Sequence, residues 1–344
     1  MKSFRLTGIN KMELITVPDP QILSETDVLI RMKTVGVCGS DIHYYKTGQI
    51  GSQIVEYPFT IGHEGAGVVE KVGGKVSRIK PGNFVAIDPA MPCYECDQCI
   101  NGRTHTCRKL RFLGNPGQAE GCLSEFIVMP EKSLFPVSDS VGFDGAALSE
   151  PLSIGYYAVA QSNLQKGSKT AILGFGPIGM SVSKAAQYFG SGPIYVTDKI
   201  NERLGLAKAN NATWTAHPIK TEICEEIKKI EPQLLDIVFE CCGQQEAIDQ
   251  AIEILKPGGK LMIIGIPEFD RWTFSVDKLR HKEITIVNVR RQNEYVQPVL
   301  DLMDKGSLQA GDMITHRFPF SETQKAFELV SEYRDGVMKA MIDF

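Results

Sequence analysis

Four of the nine cysteines in this 344-residue chain fall close together as Cys93-x2-Cys96-x2-Cys99-x7-Cys107, in a stretch that also holds Pro92, Asn101 and Gly102. Thiolates at such short spacing can close tetrahedrally around zinc. A closed shell of four sulfurs leaves no position for a substrate, so this site is expected to be structural, ordering a lobe at about 90–110 that has little core of its own. Without metal the clustered thiolates would repel one another and oxidise. An iron–sulfur cluster is the chemical rival, disfavoured because no electron-transfer partner is evident, and His105 reads as a bystander inside the cluster.

A second set of ligand types is split along the chain, with Cys38 in Gly36-Val37-Cys38-Gly39-Ser40-Asp41-Ile42-His43 and His63-Glu64 in Ile61-Gly62-His63-Glu64-Gly65-Ala66-Gly67. Cysteine, histidine and carboxylate all bind zinc. Each also has an ordinary place in a fold, as a small core residue, a satisfied core histidine and a turn acid. Spacing alone does not choose between these readings.

A third set suits a dinucleotide. Thr170 to Leu173 reads as a strand running into Gly174-Phe175-Gly176-Pro177-Ile178-Gly179, after which Met180 onward has helical character. A pyrophosphate must approach backbone N–H groups at a helix N-terminus, and side chains at the glycine positions would block it or the helix-on-strand packing. Pro177 suits an early helical position, where a missing N–H costs little. Asp198 ends the next candidate strand about 20 residues on, where a carboxylate accepts from the adenosine ribose and repels a 2′-phosphate. NAD is thus favoured over NADP, a preference softened by Lys199 and Arg203. Arg203, together with Gly265 and Ile266 beyond a later strand, completes the expected cofactor contacts.

The elements that must hold these residues change in texture near Glu150-Pro151. Before it come short apolar runs broken by glycine and proline, such as Val28 to Ile30, Gly65 to Val69 and Phe84 to Ile87, which read as strands and turns. After it, strand patterns at Thr170–Leu173, Ile194–Thr197, Thr213–Ala216, Asp236–Phe239, Lys260–Ile264 and Ile284–Asn288 alternate with helical ones at Met180–Phe189, Asn201–Asn210, Glu222–Ile230 and Gln245–Leu255. That alternation predicts an α/β domain with a parallel sheet covered on both faces, and Lys256-Pro257-Gly258-Gly259 predicts a stop and turn. The expected division is 1–150, 151–290 and a return of 291–344 to the first domain. A net charge of −4 with interleaved basic and acidic residues provides no field for nucleic acid. The start lacks an apolar signal core and no stretch has membrane-span length, so a cytoplasmic protein is expected, its cysteines reduced and free to hold metal.

Taken in order, Gly36 to His43, Gly62 to Val68, the four-cysteine lobe, Ser149-Glu150-Pro151-Leu152 and Gly174 to Gly179 resemble the zinc-containing medium-chain alcohol dehydrogenases over essentially the whole chain. Within that superfamily, Gly39 to Tyr45, Glu150 to Ser153 and Ile314 to Pro319 look most like sorbitol and other polyol dehydrogenases. The resemblance implies a discontinuous, mainly-β GroES-like catalytic domain, a Rossmann domain and a cleft between them. It also implies a catalytic zinc held by Cys38, His63 and Glu64 with Glu150 nearby, either acid being the direct ligand, and a proton relay through Ser40, the cofactor ribose and His43. Tyr44 and Arg290 fall at substrate-contacting positions of the resembled enzymes. The activity implied is hydride transfer between NAD and a secondary alcohol of a polyol. One departure stands out: arginine followed by tyrosine is common there, whereas this chain has Arg290-Arg291-Gln292-Asn293. Arg291 either faces solvent or pairs with a substrate carboxylate, which keeps a sugar-acid, amino-alcohol or diol dehydrogenase as the alternative. A non-catalytic NAD-binding protein is the third reading, opposed by the joint presence of Cys38, Ser40, His63 and Glu64. A homo-oligomer, dimer or tetramer, is expected through Ile284 to Val287 with help from Thr273 to Val276.

Overall fold

Along Asp27–Gly36, Val28, Ile30 and Met32 are buried while the intervening Arg31 is exposed, the period-2 alternation that seats one face of a strand on a core. The computed structural model describes residues 1–344 and separates them into two units, Met1–Glu150 with Val296–Phe344, and Pro151–Tyr295. No helix is long and apolar enough to cross a membrane.

In the first unit the Asp27–Gly36 strand is central. One edge pairs antiparallel with Glu64–Val72, followed outward by Phe84–Ile87 and Leu134–Pro136; the other pairs with Lys339–Asp343 and, farther along, with Phe126–Pro130. Ile314–Pro319 lies beyond Lys339–Asp343 and runs parallel to it. Glu64 therefore starts one strand beside Gly36 at the end of another, and Cys38 follows two residues later. Leu6, Ile30, Ile61, Val85 and Phe327 are among the fully enclosed side chains of this core.

The second unit is a six-stranded parallel sheet in the order Trp214–Ala216, Ile194–Thr197, Thr170–Leu173, Leu235–Glu240, Leu255–Ile263, Thr285–Asn288. This is the doubly wound order whose direction reverses beside the first strand. Thr170–Leu173 and Ile194–Thr197 are buried at every position, as expected where helices cover both faces. The helix Gln245–Ile254 buries Ala247, Ile248, Ala251 and Ile252, and Ile223–Ile230 buries Ile223 and Ile227 one turn apart.

Three local expectations change. Lys256 to Gly259 does not interrupt the sheet but lies inside the Leu255–Ile263 strand as an irregularity: Leu235 pairs with Leu255 and Ile237 next with Lys260, while Gly258 takes φ +74°. The extra residues bulge out and pairing resumes, a use of glycine that looks like a turn in sequence. Thr273 to Ser275 forms no edge strand; Ser275 caps the helix Val276–Lys282 by accepting from Lys278 N. The change of texture at Glu150-Pro151 falls inside one helix, Gly142–Ser162.

Candidate functional site

Cys38 has extended backbone (φ −93°, ψ 153°) immediately before the helix Gly39–Thr47, so its thiol stands at a helix N-terminus. Asp41, at the third helical position and fully buried, makes that start rigid: its Oδ2 accepts from Cys38 N at 3.2 Å. Its Oδ1 accepts from Gly62 N at 3.2 Å and lies 3.3 Å from His63 Nδ1. One carboxylate thus reaches both Cys38 N and His63 Nδ1, an arrangement that leaves Nε2 available as a ligand. Ser40 Oγ donates to Cys38 Sγ at 3.4 Å, and the ring of Phe112 packs 5.6 Å from that of His63.

The donor atoms of Cys38, His63 and Glu64 all lie within 4.8 Å of one another. Glu64 is clasped by a residue from the opposite end of the chain order: Lys339 Nζ donates to its Oε1 at 2.7 Å and Oε2 at 2.6 Å, and to Val37 O at 3.1 Å. Both side chains are buried. Gly36 makes room, since a Cβ there would collide with Glu64 Oε2. Burial works against charge on His63, but the fields of Asp41 and Cys38 outweigh it and hold the ring well above its ordinary pKa. A thiolate, an imidazole and a carboxylate at such close range form a donor set that suits a divalent cation. Glu150, buried in the Gly142–Ser162 helix, stands outside the close group of three but within their field. Burial above all pushes it up to about 7, His63 and Lys339 pull it down, and Glu64 and Asp88 push it up.

His43 and Tyr44 share the helix with Ser40. The Tyr44 hydroxyl is buried, donating to Asn115 Oδ1 at 2.7 Å and lying 3.0 Å from Gln53 Oε1. Arg290 is exposed; Arg291 is half-buried with φ +54°, in the segment after the Thr285–Asn288 strand.

The four-cysteine lobe has the dimensions of a zinc shell. Sulfur–sulfur separations are 3.4 Å for Cys93–Cys107, 3.6 Å for Cys96–Cys99, 3.9 Å for Cys96–Cys107 and 4.0 Å for Cys93–Cys99. Zinc–sulfur bonds of about 2.3 Å give a tetrahedron with edges of about 3.8 Å. Backbone N–H groups already address these sulfurs: Cys93 N and Lys109 N donate to Cys107 Sγ at 3.3 and 3.4 Å, and those of Arg108 and Cys99 draw Cys96 down to about 6. All nine cysteines are free thiols. His105 is buried in the short turn Thr104–Thr106 and belongs to neither close group of donors.

In the second unit, Gly174 has φ +95° and a Cβ on it would strike Cys242, while a Cβ on Gly179 would strike Gly174 O. These two glycines close the turn from strand to helix. Gly176 caps the helix that begins at Pro177 and continues through Ile178, and a Cβ on it would lie 3.3 Å from Arg203 Nη1. Asp198 closes the loop from behind, its Oδ2 accepting from Phe175 N at 2.6 Å and its Oδ1 from Ile200 N at 2.8 Å. Gly265 and Ile266 follow the Leu255–Ile263 strand, Gly265 packed against Gly243 and Ile266 exposed. The turn therefore has the bare backbone and helix N-terminus that a pyrophosphate requires.

Asp41 and Lys339 were not singled out in sequence. Asp41 carries a detectable signal, an acid three residues after Cys38 at the start of a helix, the spacing of a capping box. Lys339 carries none, because its partner Glu64 is 275 residues away.

Comparison with known proteins bears on both units. Residues 24–139 match the family model described as alcohol dehydrogenase GroES-like domain, and residues 177–305 the one described as zinc-binding dehydrogenase. A sorbitol dehydrogenase of Bacillus subtilis is 34% identical over 343 residues, covering 99% of this chain and 97% of the relative. An L-idonate 5-dehydrogenase of Vitis vinifera is 33% identical over 331 residues, covering 94% and 89%. A crystal structure from Escherichia coli, described as an oxidoreductase/dehydrogenase of unknown specificity involved in membrane biogenesis, superimposes with a TM-score of 0.94 at 28% identity, covering 99% and 98%.

Proposed function

Because the chain belongs to the zinc-containing medium-chain alcohol dehydrogenases, built from a GroES-like domain and a Rossmann-type domain, we propose that it oxidises a secondary alcohol of a polyol, passing the hydride to NAD. The observation that supports this most is the convergence of the Cys38, His63 and Glu64 donor atoms beside Ser40. A zinc bound there supplies Lewis acidity, lowering the pKa of an alcohol and polarising a ketone in reverse. A nicotinamide ring supplies the hydride acceptor.

The chain's own residues have separate tasks. Cys38, His63 and Glu64 hold the metal; Asp41 sets the orientation of the first two, and Lys339 sets the position of the third. Glu150 adds a buried carboxyl within the same field. Ser40 Oγ would take the proton released from the alcohol as its own proton passes to the cofactor ribose, and from there through His43 to water. A second zinc, in the shell of Cys93, Cys96, Cys99 and Cys107, orders the lobe without taking part in chemistry. Asp198 selects NAD over NADP by its charge, with Gly174, Gly176, Pro177, Ile178, Gly179, Arg203, Gly265 and Ile266 completing the cofactor site.

Sorbitol-like and xylitol-like polyols are the first substrates to try, the first relative being a sorbitol dehydrogenase. Arg290 and Arg291 favour a second reading, a sugar acid, and the other relative is named for one. A panel of sorbitol, xylitol, galactitol, aldonates, threonine and butanediol, followed by NADH absorbance, decides between them. Arg291→Tyr sharpens the test: a polyol enzyme loses less than about tenfold in kcat/KM, whereas a carboxylate stranded without its guanidinium costs about 2–5 kcal/mol. The protein works in the cytoplasm, where reduced thiols persist. It assembles as a dimer or tetramer through Thr285–Asn288, the outermost strand of its sheet, and only monomer in light scattering at micromolar concentration would reject that.

A further inference from the structure

Glu240 ends the Leu235–Glu240 strand and has no solvent exposure. Its Oε1 accepts from Cys242 N at 2.8 Å and Gly243 N at 2.6 Å, folding the chain sharply back after the strand. Its main-chain carbonyl accepts from Ile264 N at 2.9 Å and Gly265 N at 3.1 Å. Its Oε2 faces Gly265 so closely that a Cβ there would collide with it. The turn so formed is a contact point for its neighbours: Cys242 fills the space against Gly174, and Gly243, at φ +67°, abuts Ile266 O.

One side chain thus ties together the turns that follow three adjacent strands, Thr170–Leu173, Leu235–Glu240 and Leu255–Ile263. In a doubly wound sheet the dinucleotide lies against just such turns, with the adenosine on the half built from the first three strands and the nicotinamide half on the half built from the last three. Burying a carboxylate costs free energy unless its charge or its lone pairs are compensated. Backbone N–H groups of a single turn converge on one oxygen, so the carboxylate fixes the shape of that turn. We propose that Glu240 is a positioning residue for the nicotinamide half of the cofactor, setting the Cys242–Gly243 turn and through it Gly265 and Ile266. The inference rests on the nucleotide reading of the glycine turn given above.

The test compares ligands that use different halves. Glu240→Leu, which removes the acceptor, is expected to weaken NADH binding, followed by its fluorescence, at least tenfold, while AMP, a probe for the adenosine half, binds within twofold of wild type. Zinc content should stay the same. Glu240→Gln, which keeps an acceptor in the same place, should restore NADH binding to within threefold. Equal losses for NADH and AMP would mean that Glu240 merely holds the sheet together, and unchanged NADH binding in Glu240→Leu would mean that it positions nothing; either overturns the proposal. Wild-type protein that binds neither nucleotide would instead reject the nucleotide reading itself.

Discussion

Lys339 and Glu64 form a buried ion pair in which one ammonium reaches both carboxylate oxygens, at 2.7 and 2.6 Å, across 275 residues of chain. The clasp means that Glu64, the ligand proposed above, already shares its charge with an ammonium. Its attraction to a metal must compete with its attraction to Lys339, which tempers how tightly the acid can hold the ion.

Removing one partner of such a pair strands the other in a dry interior. Lys339→Met is expected to lower stability by about 3–5 kcal/mol, and Lys339→Met with Glu64→Gln to recover much of that loss, as read from denaturant melts of the three proteins. Additive losses in the double variant would show that the two groups do not depend on each other.

Metal content separates the two sites. Cys38→Ser is expected to retain one zinc per chain with negligible turnover, and a preparation that kept two zincs and near-normal activity would reject Cys38 as a catalytic ligand. Cys99→Ser should instead make the lobe protease-sensitive, because the three remaining thiols no longer close a shell and the metal that orders the segment is lost.

Cofactor choice tests Asp198. Asp198→Ala removes a negative charge, any ribose contact and the acceptors of Phe175 N and Ile200 N. NAD should bind more weakly and the ratio of NADP to NAD use should rise, while a stability loss of about 1–3 kcal/mol accompanies each N–H left without an acceptor. An unchanged ratio of the two cofactors, measured as kcat/KM, would place Asp198 away from the ribose.

Acid sensitivity should trace in part to Glu231, whose carboxylate pairs with Lys169 and accepts from the Tyr195 hydroxyl at 2.5 Å. The Lys169 and Tyr195 hydrogen bonds hold its pKa below the ordinary value against the effect of burial. A depressed pKa in the folded state contributes stability above the unfolded-state value and loses it as pH falls through the folded one. Glu231→Gln should therefore be less stable than wild type by about 1–2 kcal/mol at pH 7, with the gap closing below about pH 4. A gap that stays constant from pH 7 to pH 3 would exclude this linkage.

What could be read in the sequence follows how local each determinant is. The four cysteines of the lobe lie close in the chain, so their spacing alone carries the tetrahedron. The Gly174 to Gly179 turn is equally local, lying between a short continuous apolar run and a segment of helical character. The Cys38, His63 and Glu64 group needed the resemblance, because neither segment by itself implies the other. Lys339 was invisible, since adjacency across a sheet leaves no trace in spacing. Lys256 to Gly259 misled for a related reason: proline and glycines mark a break in local geometry, but the pairing energy of the neighbouring strand absorbed it as a bulge. Thr273 to Val276, expected to lend edge material, forms no strand; Ser275 instead caps the helix that begins at Val276.

The strand that carries Lys339 sits inside its sheet, between Asp27–Gly36 and Ile314–Pro319, yet follows the whole of Pro151–Tyr295 in the chain. A ribosome must therefore emit the complete nucleotide-binding unit before the metal-binding one can be finished. During synthesis the long strand Asp27–Gly36 waits with part of one edge open, and Glu64 waits without its cation. Nascent chains halted short of residue 339 would leave Glu64 without its ammonium and part of the Asp27–Gly36 edge unpaired, so the first unit can be closed only after the second has been synthesised.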